Sequence, residues 1–181
     1  MKRLLLFTFC ALLIAGLAFG QAGSIMIFSD PAFSDCNISD FVPTLVTTYV
    51  VHMYTTGATA SQFRIESPCN FMVYLGETYI FPTVIGNTQV GVSIAYGSCH
   101  VGPIHLVTIS WFAQGITPPC CLMSVVEDPG ALSGQIEAVD CAQFKFFPTG
   151  GQAIINGQPN ECWCSVPVQE TTWGRVKAMY R

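Results

Sequence analysis

Sulfur is the chemistry this sequence offers most plainly. Nine cysteines occur in 181 residues. Eight of them, Cys36, Cys69, Cys99, Cys120, Cys121, Cys141, Cys162 and Cys164, form an even set beyond the first thirty residues. Such a set predicts a disulfide framework, and about a hundred pairings are open to it. Two pairings are disfavoured: Cys120–Cys121 needs a strained ring, and Cys162–Trp163–Cys164 closes a very tight loop. Each of those four is therefore expected to bond elsewhere. Successive strand residues point to opposite faces, so Cys120 and Cys121 can tie down two different neighbours. A redox-active reading of Cys162-Trp163-Cys164 fails on spacing, because an exchanging pair wants two intervening residues at the start of a helix.

The remaining chemistry is thinner. A blue-copper site takes two His, one Cys and a weak Met. Cys99, His100 and His105 invite that comparison, but no Met follows His105 within ten residues, and Cys99 is expected in a disulfide. His52 stands far off in the chain. The loop Asp30–Asp40 carries enough acid for a weak extracellular calcium site. Taken as a helix-loop-helix calcium loop from Asp35, it has Asp40 where glycine belongs and Val46 where the closing glutamate belongs. The plainer expectation is an Asp/Ser turn cluster, with no cofactor bound. No G-x-S-x-G occurs, and no nucleophile, base and orienting group are assembled by any pattern, so no enzyme is expected. Asn37-Ile38-Ser39 is a glycosylation sequon, meaningful only in a eukaryotic source. Aromatic side chains could stack on sugar rings. Core packing explains most of them better; Trp163, flanked by cysteines in a polar stretch, is the ring expected to contact a ligand. Trp173 and Tyr180 are candidates for docking contacts.

Short strands position these residues. Ser24 to Phe28 reads as a strand, followed by an Asp/Ser/Pro loop. Thr44 to Tyr54 is β-branched and aromatic on both faces, as a central strand covered on both sides requires. Gln62-Phe63-Arg64-Ile65-Glu66 alternates strictly, with Phe63 and Ile65 inward. Phe71 to Phe81 gives one bent strand or two short ones, broken at Gly76. From Gln89 to Tyr96, Val90, Val92, Ile94 and Tyr96 share one face; Gln89, Gly91, Ser93 and Ala95 share the other. Small residues there imply close packing against something. Ile104 to Ala113, with His105, Val107, Ile109 and Trp111 on one side, is expected to pair with it as a hairpin. Further strands are expected over Cys121–Val126, within 135–147 and over Ala153–Ile155. Eight to ten short strands predict an all-β fold, an antiparallel β-sandwich of Ig-like or jelly-roll type. Thr171-Thr172 can cap a short C-terminal helix, whose Trp173, Val176 and Tyr180 form one stripe.

Export explains the sulfur. Lys2 and Arg3 precede an apolar run from Leu4 to Phe19, and Ala18-Phe19-Gly20 supplies a cleavage site. Residues 1–20 therefore read as a signal peptide, 21–170 as a disulfide-stapled sandwich and 171–181 as a C-terminal helical segment. The mature chain is expected to be secreted, periplasmic or on the cell surface, where thiols oxidise. No second apolar stretch is long enough to span a membrane. Beyond the leader stand eleven acids and five bases, Arg64, Lys145, Arg175, Lys177 and Arg181. The body up to Gly174 thus carries two bases, a balance that repels nucleic acid.

The strings GATASQF (57–63), GVSIAYGSC (91–99), SGQIEAVDC (133–141) and TTWGRVKAMYR (171–181) resemble small secreted bacterial proteins without an assigned function. More faintly, a strand pair, a glycine turn and an alternating strand resemble cohesin-type and carbohydrate-binding jelly rolls. No binding residue carries over from that likeness, and fold does not give function. With no catalytic pattern in the chain, the expected role is a non-catalytic binding or surface-assembly module of a bacterial envelope, with a protein or carbohydrate partner. Two alternatives are a structural protein docking through its C-terminal segment and an extracytoplasmic metal-binding protein. A binding module predicts a contiguous apolar patch on the folded surface.

Overall fold

The computed structural model describes residues 23–69 and 71–166. The expected leader and the expected C-terminal helix, with Trp173 and Tyr180, lie outside them. Every regular element among the described residues is a strand: β1 (Ser24–Phe28), β2 (Asn37–Ile38), β3 (Thr44–Met53), β4 (Ala58–Glu66), β5 (Val73–Tyr79), β6 (Thr83–Asn87), β7 (Gly91–His100), β8 (Ile104–Ala113), β9 (Cys121–Val126), β10 (Glu137–Val139), β11 (Lys145–Phe146), β12 (Thr149–Gly150) and β13 (Gln152–Ile155). The first sheet has the order β12-β1-β3-β8-β5. The second runs β11-β10-β4-β9-β13-β2, with β7 on the other edge of β4 and β6 beyond it. β10 pairs with Ala60–Gln62 of β4, and β9 with Arg64–Glu66.

The two sheets close over one core. Ile25, Ile27 and Val50 meet Phe63, Val92, Ile94, Met123 and Ile155, all buried. Each such side chain contributes roughly 1.5–3 kcal/mol by leaving water. β3 is central, as its two apolar faces require. Val50 joins the main core, while Val51 joins Met26 and Phe28 in a second cluster on the outer face. The Asp30 loop folds over that cluster and lays Phe33 on Phe28 and Tyr49.

Three expectations are corrected. The sandwich is mixed, because β1–β12 and β13–β2 run parallel. The segment 149–155 changes sheets at Gly150-Gly151. There a Cβ would lie 2.1 Å from the Val125 carbonyl oxygen, or 2.8 Å from Met26 Cγ, so only glycine lets the chain through. Second, β7 and β8 are no hairpin. β7 pairs with β4 and β6, β8 with β3 and β5; the loop between them crosses from one sheet to the other, and both apolar faces meet in the core. Third, the β3–β8 register shifts between Val50 and Val51, which turns His105 away from Val107, Ile109 and Trp111. It packs instead on the outer face against Phe33 and Tyr49.

Candidate functional site

All eight cysteines are paired: Cys36–Cys164, Cys69–Cys121, Cys99–Cys141 and Cys120–Cys162. Cys120 and Cys121 reach different partners, as do Cys162 and Cys164. With Cys99 bonded, the copper reading has lost its thiolate. The histidines stand apart. His52 stacks on Phe146, His100 accepts or donates with Ser98 Oγ at 3.0 Å, and His105 sits beside Thr108. Burial holds the His105 imidazole below its ordinary pKa. No three of the His, Cys, Asp and Glu residues among those described are grouped to hold a metal.

The acids of the Asp30 loop do local work. Asp30 accepts the amides of Ala32, Ser34 and Asp35 and the Ser34 hydroxyl, which closes the loop and holds its carboxyl below the usual range despite some desolvation. Asp40 is buried. It accepts Gly115 N at 2.6 Å, Thr117 N at 3.2 Å and the Thr117 hydroxyl, while Asn156 bridges the Asp40 and Thr117 main chains. That knot ties β2's exit to the turns after β8 and β13. Asn37 of the sequon bonds Asp35 and the main chain of Cys164. Trp111 and Tyr96 are buried, Trp111 donating to Thr48 Oγ1 at 3.0 Å. Burial pushes the Tyr96 hydroxyl pKa up. Trp163 is 57% exposed, beside the turn at Gly157.

The concave feature lies on the outer face of the second sheet. Cross-strand pairing lines up two rows there. One runs Thr83, Ala95, Ala60, Val139 and Lys145 across β6, β7, β4, β10 and β11. The other runs Ile85, Ser93, Gln62 and Glu137. Ala60, Ser93 and Ala95 in the middle are small, and the side chain of Gln62 beside them is held by Asp128, so the floor sinks. Ile85 and Thr83 form one wall; Val139, Glu137 and Lys145 form the other. The trough holds about 320 Å³ and is lined chiefly by apolar atoms. A shallower extension of about 470 Å³ continues past Gly97 to the Cys99–Cys141 bridge. That bridge pins the end of β7 to the segment after β10. Gly57 makes room for it, since a Cβ there would lie 2.6 Å from Cys141 Sγ.

The trough's charged groups face each other, while Glu137 Oε1 and Ser61 Oγ are buried without a hydrogen-bond partner among the described residues. Lys145 Nζ lies 2.6 Å from Glu137 Oε2; this hydrogen bond, then one from Ser133, holds the Glu137 carboxyl below its ordinary pKa against opposing desolvation. Asp128 Oδ2 accepts Gln62 Nε2 at 2.8 Å. Ser93 has no histidine or free carboxylate beside it among the lining residues. The trough can bind; nothing in it is arranged to break a bond.

A second surface is apolar. On the outer face of the first sheet, Leu45, Phe112 and Val73 stand in one row across β3, β8 and β5. They are 63%, 42% and 46% exposed. Phe71 adjoins them through its carbonyl, which accepts Gln114 Nε2 at 2.5 Å. Three exposed apolar side chains thus stand side by side on this face. The sequence reading missed both surfaces as sites. The small face of β7 pointed to the trough floor, but its far wall comes from β10 and β11, over forty residues away. Phe41 and Ile116, exposed among prolines and glycines, were the overlooked signal for the patch.

No protein-family model matches the chain, and no curated protein matches it. Solved structures similar to it include cohesin modules. One is from a family 33 glycoside hydrolase of Clostridium perfringens (TM-score 0.49, 7% identity, covering 74% of this chain and 98% of that one). Another is in a type I cohesin–dockerin complex of Clostridium thermocellum (0.47, 12%, 74% and 99%). A third is a non-cellulosomal cohesin from the archaeon Archaeoglobus fulgidus (0.44, 10%, 74% and 91%). At these scores and identities the likeness carries no argument about function, and the sites must carry it alone.

Proposed function

We propose that this chain is an exported, non-catalytic docking module that receives a protein partner in the trough of its second sheet. One observation carries the reading: two aligned rows of side chains with Ala60, Ser93 and Ala95 at their centre. Small residues let a partner's backbone approach the sheet closely, and the apolar walls reward apolar side chains that fill the groove. A sugar would want an aromatic platform with free polar groups around it. No aromatic ring lines the trough, and Lys145 is already held by Glu137 Oε2. Four disulfides support export, since such bridges persist in oxidising compartments. No helix among the described residues is long and apolar enough to cross a membrane.

Ala95 is half-buried and faces outward, so Ala95→Phe fills the groove without touching the core. A photo-crosslinking residue at Ile85 should capture a protein in the producing cells; one at the fully exposed Leu132 should not. Ala95→Phe should abolish the capture and leave Tm unchanged. Capture that survives Ala95→Phe, or glycan binding that Trp163→Ala removes, would overturn the reading. Export is checked on the same material. The mature protein should begin at Gln21 and contain no free thiol; an intact Met1 with reduced cysteines refutes it.

A further inference from the structure

The first sheet is apolar on both faces, and only part of its outer face is covered. Met26, Phe28 and Val51 are buried there beneath Phe33, Tyr49 and Val166. Farther along the same face, the Leu45–Phe112–Val73 row is open; Phe41, Phe71 and Ile116, in the segments that flank these strands, are exposed as well. An apolar surface of this kind marks an interface.

We infer that residues 171–181 of the same chain cover this row. Val166 is the last residue described, and it packs both on the main core and on the buried cluster of this face. The chain therefore leaves the sandwich at the border of the face that needs covering. Its length suffices. The seven residues 167–173 reach up to about 24 Å extended, and a helix over 173–180 adds about 11 Å. From Val51 to Leu45, β3 advances about 20 Å, and β1 to β8 is about 10 Å across. The segment also has the matching side chains. Trp173, Val176 and Tyr180 fall on one face of a helix, and a helix this short needs a surface to form on. Arg175, Lys177 and Arg181 lie off that stripe. They bring three cations to a body with eleven acids and two bases, an attraction that favours docking onto the body over leaving it. The trough on the opposite sheet stays free for a partner, so this inference stands or falls independently of that one.

A photo-crosslinking residue at Phe112 in the full-length exported protein tests it. The expected product is a monomer-sized species in which position 112 is joined to a peptide within 171–181. Trp173→Ser should remove most of that yield and lower Tm by roughly 2–8 °C. Three results would overturn the inference. The crosslink appears only at twice the mass, which assigns the row to a second copy. The segment is instead captured from Ile85 in the trough. Or position 112 joins other residues and Trp173→Ser changes nothing.

Discussion

Three of the four bridges form one closed ring, and the ring sets what each is worth. Cys120 and Cys121 are neighbours in sequence, and so nearly are Cys162 and Cys164. A path from Cys36 to Cys69, across to Cys121, one step to Cys120, across to Cys162 and two steps to Cys164 returns to Cys36. The Cys36–Cys164 bridge spans 128 residues of sequence. Alone in an unfolded chain it would remove about 5 kcal/mol of loop entropy. With the other bridges intact, the loop it closes is only about 38 residues, and the same expression gives about 4 kcal/mol. Replacing Cys36 and Cys164 by alanine should therefore cost about 4 kcal/mol plus the packing lost at buried Cys36. For a domain of this size that lowers Tm by roughly 8–16 °C.

A double-mutant cycle isolates the ring, because local packing losses cancel in it. Once Cys69–Cys121 is removed, the loop closed by Cys36–Cys164 lengthens to about 87 residues, and its removal should cost about 0.7 kcal/mol more than in the parent. The Cys99–Cys141 bridge spans 42 residues and lies off the ring's path, so the same cycle with it should show no coupling. Denaturant unfolding of the oxidised proteins, with thiol titration confirming that no free sulfur forms beyond the removed pairs, measures both. Equal coupling in the two cycles, or a Cys36/Cys164 loss that does not depend on Cys69–Cys121, refutes the ring.

Asp40→Ala strips the acceptor from Gly115 N, Thr117 N and the Thr117 hydroxyl inside the fold, and should cost at least about 3 kcal/mol by urea titration; a loss below about 1 kcal/mol would show that water enters the knot. Lys145 holds the Glu137 carboxyl below its ordinary value of 4.5, so the folded state favours the carboxylate. The stability this provides is present above that ordinary value and fades as pH falls through the folded one; Glu137→Gln should show a shallower acid loss between about pH 5 and pH 3. Burial lowers the His105 pKa from 6.5, so folding favours the neutral ring, and that contribution is lost as pH falls through the lowered value. Its NMR titration midpoint should lie below 6.5, and Phe33→Ala should move it back up.

Strand existence was legible because alternation is a local signal. Phe63 and Ile65 turn inward where the pattern places them, and the two-faced apolar run of β3 became the central strand. The fate of Cys120 and Cys121 was legible too, from the geometry of a pleated chain. Which strands pair was not. β7 and β8 each carry a hairpin's pattern, yet they face one another across the core, and alternation looks the same for either arrangement. The parallel pairs hang on Gly150-Gly151, whose need for space depends on Val125 and Met26 elsewhere. The Asp40 knot joins residues 116 apart, and nothing near Asp40 in sequence distinguishes its carboxylate from the solvated ones of the same loop.

A two-layer sandwich needs one apolar face per sheet. This chain has more. The first sheet is apolar outward at Met26, Phe28 and Val51 and again at Leu45, Phe112 and Val73; the second presents a sunken, largely apolar trough across five strands. The first excess shows how the chain treats such surface: Phe33 is carried onto it by a loop that Asp30 closes, and Val166 follows from the far end of the sequence. The uncovered remainder lies on the same face about 20 Å farther along β3, within reach of the segment proposed to cover it. The trough has no segment of the described chain laid on it, and its walls come from β6, β10 and β11, which strand pairing holds in place. On the two proposals made above, a covered face and a prepared one lie on opposite sides of the sandwich, one stabilising the fold and the other left for a partner.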